Sequence, residues 1–324
     1  MKMRSRYCFY MVLWCVGVFR QAEAQVPVRT VQVRSTPLEE QVGNPAALVG
    51  CSRSMAFFDF SGAVIRRLDA AGKATGRYAK AGGGPGELRS FGGMQFDGSC
   101  RIWIADAGNS KVMVFDDRWG SVAEFSVQSP VERLAPLAKG TSVLAVPNSV
   151  LEMLHLLDAN GNLLKKIPFP EDLQTLNPIA RSRYLARVND SLAIVQFRWF
   201  DRRVLVNAGG MVVADTKGAG PVPKVIEMSL GGSSRAYRID PASIEFASNI
   251  GMRGDTLMVI RGQPAMKKGE LQTRSRIVRI LATSGRVLDE LEIPVGIQMI
   301  TATARAVYGI GETEDGYALH ELRW

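Results

Sequence analysis

The stretch that decides the fold covers residues 76–125 and reads GRYAKAGGGPGELRSFGGMQFDGSCRIWIADAGNSKVMVFDDRWGSVAEF. After a glycine-rich start, short strand-like runs alternate with turn signals such as Asp97-Gly98 and Gly108-Asn109. The runs 102–104 and 112–115 are rich in β-branched and aromatic residues and are too short for helices. Because these runs are apolar at nearly every position, we expect a small antiparallel sheet that is covered on both faces.

This segment resembles an NHL-type repeat through residues 102–106, Gly108-Asn109, residues 111–116 and Gly120. The Gly-Gly-Pro-Gly-Glu run at residues 83–87 is similar to the segment that precedes such a blade in exported six-bladed propellers of bacteria. The resemblance spans about 50 residues, roughly the length of one propeller blade. It implies a β-propeller in which Asp106 and Asn109 cap the amides of their own turn.

The rest of the chain repeats the same pattern of apolar strand, glycine turn and apolar strand. The five turn glycines are Gly62, Gly120, Gly161, Gly210 and Gly285. A sixth unit near the C-terminus is one strand short, and the alternating run at residues 26–33 has no partner of its own. We therefore predict an all-β six-bladed β-propeller of four-stranded antiparallel blades, in which residues 26–33 pair with residues 317–324 and close the ring. A pair of β-sandwiches is the alternative, but no linker composition divides the chain.

The first 24 residues have the composition of a secretory signal peptide. Lys2, Arg4 and Arg6 precede an apolar run at residues 7–19, and the segment Ala22-Glu23-Ala24 offers a cleavage site. We expect residues 1–24 to be removed and residues 25–324 to form a single propeller domain, exported to the periplasm or the extracellular space. An uncleaved N-terminal anchor is the alternative. The mature chain is expected to contain no transmembrane span and to be a monomer.

The net charge of the chain bears on the class of partner that we expect it to bind. The 324 residues carry a formal charge of +9, and removal of four basic residues and one acidic residue with the leader lowers it to +6. A mildly positive protein favours anionic partners without requiring one. We expect a protein, a peptide or an anionic glycan as partner, and no nucleic acid because the chain is expected to be exported.

Cys51 and Cys100 are the two cysteines that remain after the leader. They lie at strand ends in neighbouring predicted blades, in a compartment that permits disulfides. A disulfide and two buried thiols are both open at this stage. With no histidine nearby, the pair is not a metal site.

Neither a catalytic constellation nor a metal site is predicted. His155 and His320 each stand in an apolar strand run, which is more typical of a packed side chain than of a catalyst. The run at residues 158–162 resembles the start of a calcium loop but lacks the later bidentate glutamate, and a hairpin turn explains it. No cofactor is predicted, with calcium kept as the one open option.

The innermost strand of each propeller blade lines the central channel. The repeat places these strands at residues 46–51, 92–97, 132–137, 183–188, 243–249 and 296–302. The polar residues expected to face the channel are Gln95, Arg133, Arg183, Arg187, Glu245 and Gln298. Arginines in this set suit a carboxylate, phosphate or sulfate ligand through planar bidentate contacts. An error of one residue in the register would direct several of these side chains elsewhere.

Two further segments are candidates for surface contacts. An aromatic and basic turn in the fourth blade contains Arg198, Trp199, Phe200 and Arg202. A long basic hairpin tip between residues 261 and 276 contains Lys267 and Lys268. Either segment could contact a glycan or a peptide, or serve only as a packed turn and a solvated loop.

The leading functional hypothesis is an exported, non-enzymatic recognition or scaffold module that binds its partner on one face of the propeller. The alternative is a metal-dependent lyase or a lactonase-type hydrolase that uses the central channel. An enzyme of that kind needs a metal held by carboxylates, asparagine or histidine from several blades. The predicted channel supplies one carboxylate and three arginines, which favours the recognition module.

Overall fold

The computed structural model describes residues 26–38, 42–78, 80–218, 220–229, 235–243, 245–261 and 274–324. Within these ranges the regular secondary structure is almost entirely β-strand. The predicted leader at residues 1–24 lies outside the described residues, and so do Lys267 and Lys268.

The N-terminal half supplies two leading strands and the first three blades. The leading strands are β1 (Val28–Thr30) and β2 (Gln32–Pro37). Blade one consists of β3 (Pro45–Gly50), β4 (Ser54–Asp59), β5 (Val64–Asp69) and β6 (Ala74–Tyr78). The short pair β7 (Lys80–Ala81) and β8 (Glu87–Leu88) leads to blade two, which consists of β9 (Phe91–Phe96), β10 (Ile102–Asp106), β11 (Lys111–Phe115) and β12 (Ser121–Ser126). Blade three consists of β13 (Val131–Leu137), β14 (Ser142–Pro147), β15 (Glu152–Asp158) and β16 (Leu163–Pro168).

The C-terminal half supplies the remaining blades. Blade four consists of β17 (Arg183–Arg187), β18 (Leu192–Phe197), β19 (Arg202–Asn207) and β20 (Val212–Lys217). A hairpin of β21 (Val225–Ser229) and β22 (Arg235–Ile239) separates it from blade five, which consists of β23 (Asn249–Arg253), β24 (Thr256–Ile260), β25 (Ser275–Leu281) and β26 (Val287–Ile293). Blade six contains β27 (Met299–Ala302), β28 (Val307–Thr313) and β29 (Gly316–Arg323). The helical segments in the described residues are α1 (Glu171–Gln174) and 3₁₀ turns at Ala138–Gly140 and Pro178–Arg181.

The blades form a closed ring. Each blade is an antiparallel sheet whose first strand is innermost, apart from the added outer strands described below. Neighbouring inner strands contact one another in the order β3, β9, β13, β17, β23, β27 and back to β3. The predicted six-bladed β-propeller is confirmed.

The apolar runs that suggested two-sided sheets do face neighbours on both sides. Every residue of β10 and β11 is buried. Along β10, Ile104 packs in a cluster with Phe58 of blade one, whereas Trp103 packs in a cluster with Leu134 of blade three. Because successive side chains of a strand point to opposite faces, each blade contributes half of two interblade cores.

Inner strands approach one another closely at the axis. A Cβ atom on Gly92 would lie 2.1 Å from the carbonyl oxygen of Val131, and one on Gly93 would lie 2.6 Å from that of Glu132. No ordinary side chain fits at such distances, so the glycine pair at the start of β9 is required by packing.

Ring closure differs in detail from the sequence prediction. We expected residues 26–33 to complete blade six, but β2 does so, pairing antiparallel with β29 from Gln32 opposite Arg323 to Pro37 opposite Ala318. The preceding strand β1 pairs in parallel with β26 of blade five. Between them, Val31 is 2% exposed and packs in the core between blades five and six. The N-terminal segment therefore joins two blades rather than one.

The inner strand of blade five also consists of other residues than the sequence predicted. We expected residues 243–249, but the strand is β23 and begins at Asn249. The turn after it contains only Gly254, with φ of +58°, and Asp255, so β23 and β24 form a tight hairpin. The preceding insertion holds the β21–β22 hairpin, and the number of residues it uses could not be read from the sequence.

Asp106 joins the glycine-rich connection to blade two. Its carboxylate is buried and accepts hydrogen bonds from the backbone amides of Arg89, Ser90, Gly108 and Asn109 at 3.0–3.2 Å. The side-chain amide of Asn109 donates a further bond at 2.7 Å. These hydrogen bonds support the structural role expected for Asp106 and Asn109. Because Arg89 and Ser90 precede blade two, Asp106 caps its own turn and also holds the connection to the blade.

His320 is a buried histidine at the ring closure, and we expect it to make stability depend on pH. This residue of β29 is 1% exposed, its Nδ1 lies 2.9 Å from the hydroxyl of Ser35 on β2, and its Nε2 has no hydrogen-bond partner among the described residues. Burial lowers the pKa of His320. In the unfolded chain the imidazole takes up a proton near pH 6.5, whereas the folded state resists it, so stability should fall as the pH drops below about 6.5.

Replacement of His320 by glutamine should reduce this pH dependence. Urea unfolding between pH 7.5 and 5 measures the slope, which is about 1.4 kcal/mol per pH unit for each proton taken up on unfolding. Burial also lowers the pKa of His155, so the wild type should lose stability with a steeper slope than the variant, which retains one buried histidine. An unchanged slope in His320→Gln would contradict the assignment.

Candidate functional site

The central channel contains a cavity of about 370 Å³ that is lined by all six inner strands. Its lining includes Gln95, Arg133 and Arg187 among the predicted channel residues, together with Tyr184 and Asn249. The lining continues into the turns that connect the first and second strands of blades one, five and six. We call the face formed by these first turns the turn face, and the cavity extends to it.

Arg133 is the central cation of this cavity. Its Nε donates to the carbonyl of Arg183 at 3.2 Å, and its guanidinium carbon lies 4.6 Å from the ring centre of Tyr184. No carboxylate of a described residue lies within salt-bridge distance of it. Desolvation lowers the pKa of Arg133, opposed by the nearby Tyr184 and Glu132, but a guanidinium in a protein stays protonated. The side chain is partly exposed because it faces the cavity.

Tyr184 forms a fixed support beneath this guanidinium. Its hydroxyl donates to the carbonyl of Ser248, and burial raises the pKa of the phenol. The hydroxyl therefore stays neutral and keeps its hydrogen bond. Arg133 is held by the Arg183 carbonyl and the Tyr184 ring, while its terminal nitrogens have no carboxylate partner among the described residues.

Arg187 lies at the turn-face end of the same cavity. Its Nη2 lies 2.7 Å from Oδ1 of Asp190, and its buried Nε has no hydrogen-bond partner in the described part of the chain. Because Asp190 is partly exposed, this arginine is only partly neutralised. Together with Arg253, Arg133 and Arg187 give this cavity three arginines in its lining.

Each blade also contributes one basic residue in or beside its first turn. We call this set the basic ring, and it consists of Arg53, Arg101, Lys139, Arg187, Arg253 and Arg305. Three members have carboxylate partners at 2.7–2.9 Å, namely Arg53, Arg101 and Arg187. The other three have none within salt-bridge distance among the described residues. The ring surrounds the channel opening with net positive charge, which attracts anions.

The basic ring was missed in the sequence. Its signal is a single lysine or arginine at the same place in every blade, which becomes visible only when the first turns are aligned. Arg53 donates to the carbonyl of Ser99, and Arg101 to that of Lys139, so two members contact the turn of the next blade. Part of the ring therefore also stabilises neighbouring turns.

Arg183 is placed outside the cavity lining. It lies at the far end of β17, where its Nε and Nη2 donate to the carbonyls of Met153 and Glu152 in blade three. Its guanidinium lies 4.7 Å from the ring centre of Phe169, and burial lowers its pKa to about 10. Although Arg183 and Arg187 lie on the same side of the strand, the cavity lining of blade four begins at Tyr184 and includes Arg187 but not Arg183.

Glu245 and Gln298 also lie outside the cavity lining. Glu245 precedes β23 and forms an ion pair with Arg198, and burial raises the pKa of its carboxyl despite that pairing. Gln298 is exposed just before β27, and its backbone amide donates to the carbonyl of Ile310 at 2.8 Å. Both positions follow from inner strands that begin later than the sequence pattern suggested.

The aromatic and basic turn of blade four is mostly packed. Phe200 and Arg202 are buried, and Arg202 forms ion pairs with Asp172 and Asp215. Hydrogen bonds from Arg202 and Lys217 lower the pKa of Asp172 to about 2. Phe200 also stacks on Phe197 in the core. Phe200 and Arg202 are therefore not available for a surface contact.

Two other members of that turn remain partly accessible. Arg198 is paired with Glu245, and its guanidinium lies 4.9 Å from the ring centre of Trp199. Trp199 itself packs against the core between blades three and four. The turn is therefore mainly structural.

A disulfide joins Cys51 to Cys100 and links the first turns of blades one and two. The two Cα atoms are 5.6 Å apart. Because Cys51 lines the cavity, the disulfide stabilises the wall of the channel near its turn-face opening.

The described residues contain no group of three or more histidine, cysteine, aspartate or glutamate side chains that could hold a metal ion. In the turn at residues 158–162, Oδ1 of Asp158 accepts from the amides of Asn160 and Asn162, and Oδ2 accepts from the side-chain amide of Asn162. These bonds fit a hairpin turn rather than a calcium loop. No described helix has the length and apolar character that a membrane span needs.

Comparison with known proteins supports the fold. No family model matches the chain, and no curated protein matches it. A Bacteroides fragilis protein named as an exported protein has a TM-score of 0.60 at 12% identity, over 90% of this chain and 94% of that chain. A member of the DUF4221 family from Bacteroides vulgatus has a TM-score of 0.60 at 10% identity, over 90% and 96%. Virginiamycin B lyase from Staphylococcus aureus has a TM-score of 0.55 at 11% identity, over 91% and 99%.

At such identities the similarity shows the propeller fold and nothing finer. The resemblance of residues 76–125 to an NHL-type repeat stays a prediction.

Proposed function

We propose that this protein is an exported recognition module that binds an anionic group of its ligand in the central channel. The observation that carries this proposal is Arg133, a desolvated guanidinium that faces a cavity formed by all six blades and has no carboxylate partner among the described residues. A guanidinium presents planar donors that match a carboxylate or phosphate group. The ligand's anion supplies the charged acceptor that the described residues do not.

The surroundings of Arg133 support a small ligand or the terminal group of a larger one. The cavity of about 370 Å³ lies near the lower end of the range of roughly 300–1,000 Å³ for ligand pockets. The basic ring adds positive potential at the opening, and a channel with low-dielectric walls concentrates such a field. We therefore favour a carboxylate-bearing glycan or peptide end that enters from the turn face.

Export of the protein has separate support. The signal-like residues 1–24 predict it, and the Cys51–Cys100 disulfide suits an oxidising compartment. One protein of similar fold is named as exported, although that name describes the other protein.

A lyase or hydrolase function has less support in this chain. A histidine-to-alanine variant of virginiamycin B lyase is catalytically inactive. Here both histidines of the sequence are buried in blades, His155 in β15 and His320 in β29, and neither lines the cavity. Within the described residues no group of histidine, cysteine, aspartate or glutamate side chains forms a ligand set for a metal ion.

Isothermal titration with trigalacturonate and with tetraglutamate tests the proposal, with maltotriose as the uncharged comparison. We expect one of the two anions to bind and maltotriose to show no binding. Replacement of Arg133 by methionine removes a charge-assisted contact of about 1.5–3 kcal/mol, which should weaken binding roughly 10- to 100-fold.

Arg118→Gln is the matched control, because Arg118 is an exposed arginine in a turn on the same face and has no part in the cavity. It should leave the affinity unchanged. Equal weakening of anion binding by Arg133→Met and Arg118→Gln would mean that the effect comes from net charge alone. The proposal is refuted if neither trigalacturonate nor tetraglutamate binds. Which anion binds decides between a glycan and a peptide.

A further inference from the structure

A second cavity lies on the turn face at the junction of blades one, five and six. It has a volume of about 560 Å³, and β2 forms part of its wall. Its charged and aromatic lining consists of Arg34, Arg253, Arg305, Arg323, Glu321, Tyr308 and Trp324. Four arginines therefore face one glutamate in a space large enough for a small ligand.

Most of this positive charge is not neutralised by carboxylates of the part of the chain that the structure describes. Arg323 lies 2.7 Å from Oε1 of Glu321 and is paired with it. Arg34, Arg253 and Arg305 have no carboxylate of a described residue within salt-bridge distance. These three arginines come from β2, from the end of β23 and from the first turn of blade six, so the fold brings them together from distant parts of the sequence.

The floor of the cavity is held in place by packing. Tyr308 is 2% exposed, and its hydroxyl donates to the carbonyl of Ala70 at 2.9 Å. The ring of Trp324 lies 5.5 Å from the guanidinium of Arg253 and 5.2 Å from that of Arg279. The ring of Trp324 thus partly orients Arg253. The N–H donors of Arg253 have no carboxylate partner among the described residues and can contact a ligand.

We propose that this cavity is a binding site for a phosphate or sulfate group, contacted by Arg34, Arg253 and Arg305. A tetrahedral dianion offers several acceptors at once, which suits guanidinium groups that converge from three directions. The site is separate from the anion site at Arg133 and does not depend on it, although Arg253 lines both cavities.

A ligand in this cavity would also affect ring closure. Arg34 belongs to β2, Arg305 to blade six and Arg253 to blade five, so one bound dianion would connect three elements that meet at the closure. A ligand that binds only the folded state raises its stability in proportion to ligand concentration. Binding of inorganic phosphate should therefore raise the melting temperature, and its affinity should fall as ionic strength increases.

Isothermal titration with inorganic phosphate tests the site. We expect saturable binding that Arg34→Gln and Arg305→Gln each weaken by about tenfold or more, since each removes one charge-assisted contact. Both side chains are exposed, so these variants should fold. Arg118→Gln removes the same charge from the same face and should have no effect. Arg133→Met can remove an anion bound in the channel, but it should leave intact the phosphate binding that Arg34→Gln and Arg305→Gln weaken.

Two further probes identify the source of the group. Tighter binding of glucose 6-phosphate than of inorganic phosphate would indicate a phosphorylated sugar, and binding of phosphatidylglycerol vesicles that Arg34→Gln abolishes would indicate a lipid headgroup. Absence of saturable phosphate binding, or equal weakening by Arg118→Gln, would overturn the proposal. Loss of phosphate binding in Arg133→Met would also overturn it, because that result would move the site into the channel.

Discussion

A chain that begins at Leu38 should lose most of its stability relative to one that begins at Gln25. The deletion removes β2, whose six residues pair with β29, and it removes Val31 from the core between blades five and six. Loss of one buried side chain and a strand ladder should cost roughly 4–6 kcal/mol, against a typical total of about 5–15 kcal/mol. Urea unfolding followed by circular dichroism measures the difference.

The matched control is a chain that begins at Val31. It lacks residues 25–30, which include β1 with its three exposed residues, and it retains the whole of β2. We expect a loss of less than about 1 kcal/mol, because the pairing of β1 with β26 excludes little apolar surface. The Leu38 chain should also self-associate in size-exclusion chromatography, since β29 becomes an open edge. Equal stability of the two truncated chains would contradict the assignment of β2 as the closing strand.

Replacement of Asp106 by alanine should produce the second large loss. The change leaves four backbone amides and the Asn109 side chain without their acceptor, at a carboxylate that is 1% exposed. Unsatisfied buried donors cost about 1–3 kcal/mol each before relaxation and entry of water, so we expect a total of about 3–5 kcal/mol. Thermal and urea unfolding should both show it.

Asp158→Ala provides the comparison, because Asp158 accepts from turn amides in the same way but in an exposed turn of blade three. Water can replace the lost acceptor there, so the loss should be much smaller. Similar losses for the two variants would mean that Asp106 is an ordinary turn cap and does not hold the glycine-rich connection.

The fold could be predicted because its signals are local. Apolar runs such as residues 102–104 indicate two-sided sheets, and turn glycines mark the hairpins. The positions of inner strands depend on insertion lengths, which local patterns do not define. The prediction therefore held for β9 and β13 within one residue at each end but placed the inner strand of blade five six residues early.

The same limit explains why only some of the predicted channel residues line the cavity. Gln95, Arg133 and Arg187 line the cavity, whereas Arg183 contacts blade three although it shares a strand with Arg187. Sequence periodicity gives the side of a strand, but it does not say which end of that strand meets the channel. The basic ring and the second cavity depend on residues from several blades, so they become visible only once the ring is closed.

The most direct test of anion recognition in the channel is anomalous diffraction from crystals soaked in selenate. We predict a selenium peak within hydrogen-bond distance of the Arg133 guanidinium in the wild type, and its loss in Arg133→Met crystals soaked in the same way. Selenate peaks at other arginines, with none in the channel at any concentration that the crystals tolerate, would contradict the proposal that Arg133 binds an anion.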